Sequence, residues 1–233
     1  MPAKMRIIHT DSINLAVRDI AERIIAVLQA GKPVLWLVCG GSNISAAVAV
    51  MKSIRTSVSA IDISRLTVGL TDERFGPVGH VDSNWKQLED AGFEFTNIGT
   101  LPTLKGEPLE ETVHSYSKEI DEAINTTKSD KGLVVAILGI GADGHIAGIL
   151  PDSSASRAQG LTDGYEAGPY MRVTLTFTAL RRLDEVYALV FGARSKHTQI
   201  TRLVAESVAL SDQPCQILKE ITVSSLYTDL LVE

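Results

Sequence analysis

Apolar residues fall into two kinds of run along this chain. Some runs are short, continuous and bounded by glycine or proline. Others recur every three or four positions among charged residues. Asp11–Ala30 is of the second kind: Ala16, Val17, Ile20, Ile24 and Leu28 share one helical face, Asp11 or Ser12 can cap the start, and Gly31 and Pro33 end it. Pro33–Cys39 is of the first kind, as expected of a strand covered on both faces. Gly40-Gly41-Ser42-Asn43 follows, and the Ala- and Val-rich Ile44–Ile54 reads as a helix. The alternation then continues through a strand at Arg65–Leu70, a loop at Thr71–Val81, and a helix at Asp82–Ala91 capped by Asp82 or Ser83. Next come a charged amphipathic helix at Glu107–Ile124, an apolar strand at Leu133–Leu138 and the glycine-rich loop Gly139–Gly144. Met171–Phe177 alternates threonine with apolar residues. Glu185–Phe191 reads as a strand, Arg194–Ser207 as a helix and Ile221–Tyr227 as a last strand.

Strands alternating with helices predict an α/β fold: a mainly parallel, Rossmann-like sheet with helices on both faces, in three layers. No repeat or linker divides the chain, so residues 1–233 are expected to form one domain. The polar stretch Asp152–Tyr170 has no periodicity and is expected as a loop near the site. Ligands of such sheets bind beyond the carboxyl ends of the strands. Three loops leave a strand there with polar or glycine-rich chemistry: Gly40–Asn43, Thr71–Asn84 and Gly139–Pro151.

Composition narrows the partners. The net charge of −6 disfavours non-specific nucleic-acid binding, which needs a basic surface. It leaves room for an anionic small molecule held by local cations and backbone N–H groups. Cys39 and Cys215 have no metal-type spacing and are expected to be reduced thiols. The first ten residues lack the apolar core of a signal peptide, and no apolar run approaches the ~18 residues of a membrane span. The expectation is a cytoplasmic protein, monomeric or a small homo-oligomer, with no membrane, nucleic-acid or metal partner.

Each loop has a plain structural reading beside a chemical one. In Gly40-Gly41-Ser42 the paired glycines let the backbone approach a ligand, and the following helix start suits a phosphate; the plain reading is a tight turn with a helix cap. It is neither a GxxxxGK[ST] nor a GxGxxG loop. Asp72-Glu73-Arg74 sets two carboxylates beside a guanidinium that can grip an anion bidentately, or simply ion-pairs within the loop. Gly139-Ile140-Gly141-Ala142-Asp143-Gly144-His145 carries the strongest signal. A histidine at a strand end can take a proton from water, and Asp143 can orient it or contact a sugar hydroxyl. Arg172 starts the threonine-rich strand, and Lys196 follows the turn Gly192-Ala193-Arg194-Ser195, so both can reach the same crevice or remain solvated.

Taken together, Gly40-Gly41-Ser42, Asp72-Glu73-Arg74, Asp82-Ser83-Asn84, the loop ending Asp143-Gly144-His145 and Gly192–Lys196 resemble the 6-phosphogluconolactonase family, which is related to the glucosamine-6-phosphate deaminase/isomerases. The resemblance spans most of the chain. It implies hydrolysis of 6-phosphoglucono-1,5-lactone without metal or organic cofactor. His145 would activate water and Asp143 would orient it, while Gly40, Gly41, Ser42, Asp72, Arg74, Arg172 and Lys196 hold the sugar phosphate. The deaminases carry a glutamate before the proline ending the third loop, where this chain has Leu150, and a tyrosine where it has Arg74. The Ile146-Ala147 pair, by contrast, is similar to theirs. The alternatives are therefore a deaminase/isomerase and a non-catalytic sugar-phosphate sensor.

Overall fold

The computed structural model describes residues 5–192 and 194–231. Its elements run β1 (Arg6–His9), α1 (Ile13–Gln29), β2 (Val34–Val38), α2 (Ile44–Ser57), α3 (Ala60–Ile63), β3 (Leu66–Leu70), β4 (Asp72–Arg74), α4 (Asn84–Asp90), β5 (Gly99–Leu101), α5 (Leu109–Ser129), β6 (Leu133–Leu138), β7 (Thr162–Ala167), β8 (Tyr170–Leu175), α6 (Phe177–Leu180), β9 (Glu185–Val190), α7 (His197–Ala205) and β10 (Val223–Thr228). Among the described residues, seven strands form a parallel sheet in the order β1-β10-β9-β6-β2-β3-β5. A second, antiparallel sheet has the order β4-β8-β7.

The apolar runs explain the layering. Alternate side chains of a strand point to opposite faces. Val34, Trp36 and Val38 of β2 join Val135 and Ile137 of β6 in a core closed by α1 and α2. Leu35 and Leu37 join Val134, Ala136 and Leu138 in the other core, closed by α5, α7 and the antiparallel sheet. Both strands are buried along their whole length, so neither has a polar alternation. The predicted three-layer α/β/α class is the observed one. Ser12 caps α1, accepting from the Asn14 amide, and Ser83 caps α4, accepting from Lys86.

Departures from the expected elements occur where burial is one-sided. β1 is an edge strand of four residues with none buried, so it carries too little pattern to detect. Asp72–Arg74, expected within a loop, is a strand paired with β8. Asp152–Tyr170, also expected as loop, contains β7, in which only Thr162 and Ala167 are buried. β8 stops at Leu175, and Phe177 begins a single helical turn. Arg194–Ser207 is a 3-10 turn at Arg194–Lys196 followed by α7, which ends at Ala205. Ala193, part of the turn read before Lys196, lies outside the described residues.

Strand order positions the site. From β2 the chain continues through α2 to β3 on one side, whereas from β6 it proceeds to β9 on the other. The two paths diverge between β2 and β6, and a crevice opens there at the carboxyl ends of the strands.

Candidate active site

Five strands, or the loops that leave them, deliver residues to this crevice, a cleft of about 330 Å³. That is near the small end of small-molecule sites, roughly 300–1,000 Å³. Gly40, Gly41 and Ser42 come from the loop after β2, Asp72 and Arg74 from β4, His145 from the loop after β6, Arg172 from β8, and Lys196 from beyond β9. All eight line it. Asp143 stands behind His145, outside the lining.

The loop after β6 runs on to β7 without a helix, which removes the plain reading of a capped helix start. Its shape comes from three buried isoleucines: Ile146 bridges to Ile140 and to Ile149, and all three enter the core. Gly144 turns the chain with φ +87°, a conformation glycine adopts without steric cost. The imidazole then lies against Gly141, where an added Cβ would sit 2.0 Å from His145 Nδ1. His145 Nδ1 is 2.6 Å from Asp143 Oδ1, and the His145 amide donates to the same oxygen at 3.1 Å. These contacts, first among them the hydrogen bond from the imidazole, hold the Asp143 carboxyl down to about 2. An ionised carboxylate only accepts, so the ring proton sits on Nδ1 and the Nε2 lone pair is available.

The same cleft is lined by three cations, Arg74, Arg172 and Lys196. Arg74 and Arg172 face each other across the β4–β8 ladder. Arg172 Nη1 lies 3.5 Å from Asp72 Oδ2, and Arg74 Nη1 donates to the Asp82 carbonyl at 3.1 Å. Lys196 pairs with no carboxylate among the described residues, and burial lowers its ammonium below the ordinary range.

Three supporting residues were not among the predicted site residues. Asn84 lines the cleft and donates from Nδ2 to the Asp72 carbonyl at 2.9 Å. Its Oδ1 lies where a Cβ on Gly40 would stand, 1.8 Å away, so residue 40 must be glycine. Asn43 does not cap α2; its side chain donates to the Leu138 carbonyl at 3.4 Å, tying the first loop to the third. Glu73, fully buried, holds the start of α4 through the Asn84 and Trp85 amides. The sequence signal for these three was only a polar residue in a loop or cap beside the cleft-forming segments, Asn43 after β2, Glu73 within Asp72–Arg74 and Asn84 after the cap Ser83. Leu150, by contrast, lines a separate groove with Tyr165 and Ala167, not this cleft. Among the described residues no group of three or more His, Cys, Asp or Glu side chains is arranged to hold a metal, and no helix is long and apolar enough to cross a membrane.

Residues 9–226 match the family described as glucosamine-6-phosphate isomerases/6-phosphogluconolactonase. A 6-phosphogluconolactonase of Thermotoga maritima is 30% identical over 149 residues, 62% of this chain and 64% of that protein, so the match spans just under two thirds of that relative. One of Mycobacterium tuberculosis is 26% identical over 182 residues, 72% of this chain and 71% of that protein. In structure, the Thermotoga maritima 6-phosphogluconolactonase has a TM-score of 0.76 at 20% identity, over 97% of this chain and 99% of that one. A monomeric glucosamine-6-phosphate deaminase reaches 0.78 at 16% identity, over 96% and 97%. At these identities the structural likeness speaks for the fold, which both chemistries share.

Proposed function

The chain belongs to the glucosamine-6-phosphate isomerase/6-phosphogluconolactonase family, and from that membership we propose that it hydrolyses 6-phosphoglucono-1,5-lactone to 6-phosphogluconate, with residues 1–233 acting as one cytoplasmic sugar-phosphate domain. The observation that carries the proposal is a histidine oriented by a carboxylate at 2.6 Å in a cleft that three cations also line. Nε2 of His145 takes a proton from water as the water oxygen attacks the lactone carbonyl carbon. The negative charge developing on the carbonyl oxygen meets backbone N–H groups and cations of the cleft. The carbon–ring-oxygen bond then breaks, and the imidazolium returns the proton to that oxygen. An activated ester needs only a base, positioning and charge stabilisation, so no metal or cofactor enters. Asp143 keeps the imidazole in the productive tautomer. Asp72 meets a sugar hydroxyl, and Gly40, Gly41, Ser42, Arg74, Arg172 and Lys196 hold the phosphate.

A paired assay tests this reading. The protein is expected to accelerate lactone loss above the spontaneous rate and to release no ammonia from glucosamine 6-phosphate. Ammonia release without lactone acceleration would select the deaminase reading; binding of 6-phosphogluconate with neither activity would select a sensor. Leu150→Glu is expected to leave ammonia release absent, because position 150 belongs to the neighbouring groove rather than the cleft of His145.

Lys196→Ala is expected to raise KM about tenfold while kcat stays within about threefold, since a phosphate contact remote from the carbonyl is made equally in ground and transition states. An unchanged KM would return Lys196 to the role of a solvated surface charge.

A further inference from the structure

Tyr170 opens β8, half-buried, two residues before Arg172 and so on the same face of the strand. The centre of its ring lies 5.2 Å from the guanidinium carbon of Arg74 and 5.7 Å from that of Arg172. Both fall within the ~6 Å at which a ring face attracts a cation. The arginines have few other partners: Arg74 Nη1 donates to the Asp82 carbonyl and Arg172 Nη1 lies near Asp72. They are paired directly across neighbouring strands, where like charges repel. The Nε of each is buried without an acceptor. Only Asp72 answers them with a full charge among the described residues, and it pairs with Arg172 alone. Tyr170 does not line the cleft, so it can act only through the arginines. It is fixed in turn by the tight β7–β8 hairpin, in which Ala167 pairs with Tyr170 around Gly168 and Pro169.

We propose that Tyr170 is a positioning residue: its ring holds the Arg74 and Arg172 guanidiniums side by side so that both meet one phosphate. The inference rests on the sugar-phosphate reading of the cleft. Without the ring, the guanidiniums spread apart or turn toward Asp72, and the incoming anion has to order them. That ordering weighs on ground state and transition state alike, so the loss appears in affinity and KM rather than in turnover.

The test compares Tyr170→Leu, Tyr170→Phe and the parent chain by calorimetric titration with inorganic phosphate and with 6-phosphogluconate, alongside lactone kinetics. Tyr170→Leu is expected to weaken both ligands about 5- to 20-fold and to raise KM in parallel, with kcat within about twofold. Tyr170→Phe keeps the ring face and is expected to stay within about twofold of the parent. If the leucine chain does not fold, Tyr170→Met supplies bulk without a ring face. Unchanged affinity in the aliphatic variant overturns the inference, as does equal weakening by phenylalanine, which would put the effect on the hydroxyl. A lower kcat at constant KM overturns it too. A parent that binds phosphate but hydrolyses no lactone sinks the lactonase reading and leaves Tyr170 to be judged by calorimetry. A parent that binds neither ligand overturns the inference, because the arginines then have no anion to meet.

Discussion

Replacing His145 with asparagine is expected to lower lactone turnover about 10²- to 10⁴-fold, the usual worth of a positioned general base, while the fold survives. Survival follows from the side chain's surroundings: the imidazole is a third exposed, and its one hydrogen-bond partner is a surface carboxylate. The isoleucines that shape the loop are untouched. A variant with near-parental kcat and an unchanged melting temperature would remove His145 from the mechanism. Asp143→Asn provides the companion measurement. An amide can donate to Nδ1, which moves the ring proton to Nε2 and blocks the base without removing it. The parent's pH profile bears on the same pair. The Asp143 carboxyl is depressed to about 2, so the stability it adds is fully present above the ordinary carboxylate range and is lost only as pH falls through about 2. Its protonation cannot supply an acid limb above pH 4. The Asp143→Asn variant should therefore lower the plateau of kcat/KM rather than extend it to lower pH.

What the sequence revealed of this site, and what it hid, divides along burial. β2 and β6 are covered on both faces, so their uninterrupted apolar runs identify them, and with them the loops that carry Gly40–Ser42 and His145. The turn chemistry was equally plain, since Gly141 and Gly144 are there for steric reasons that only glycine meets. The antiparallel sheet was hidden. β4 has three residues and β7 is half-exposed, so neither shows the period-two pattern that a one-sided strand needs five or six residues to display. Arg74 and Arg172 were therefore legible as cations at strand ends but not as cross-strand neighbours. Tyr170 was assigned to the end of a loop. Leu150 shows the reverse limit: it belongs to the loop that carries His145, Gly139–Pro151, and yet it lines another groove.

Glu73→Ala is expected to lower folding stability by about 3–5 kcal/mol, a larger loss than any substitution of a cleft residue proposed above. The carboxylate has no exposed surface. One oxygen accepts from the Arg74 and Asn84 amides at 2.7 and 2.6 Å, the other from Ser83 Oγ at 2.9 Å and the Trp85 amide at 3.1 Å. Two of those amides open α4, so the side chain stands in for the missing turn of the helix. Alanine leaves four donors facing a void. Activity should fall with stability, because Asp72, Arg74 and Asn84, all in the cleft, are chain neighbours of Glu73 or of its partners. Glu73→Gln separates the acceptors from the charge. Burial raises the Glu73 carboxyl above its ordinary value of 4.5, and the four donors act against that rise. A carboxyl raised in the folded state contributes stability that is fully present below the unfolded value and is lost as pH rises through the folded one. The parent should therefore lose some stability as pH rises from 4.5, and the glutamine chain should lack that slope. At neutral pH, glutamine puts an NH₂ group against two donors and should cost about 2–3 kcal/mol by denaturant unfolding. A glutamine chain as stable as the parent at pH 7 would mean that the native carboxyl is already protonated, the form glutamine imitates. The four donors would then be holding a neutral acid, and the account of Glu73 as an anionic helix cap would fail.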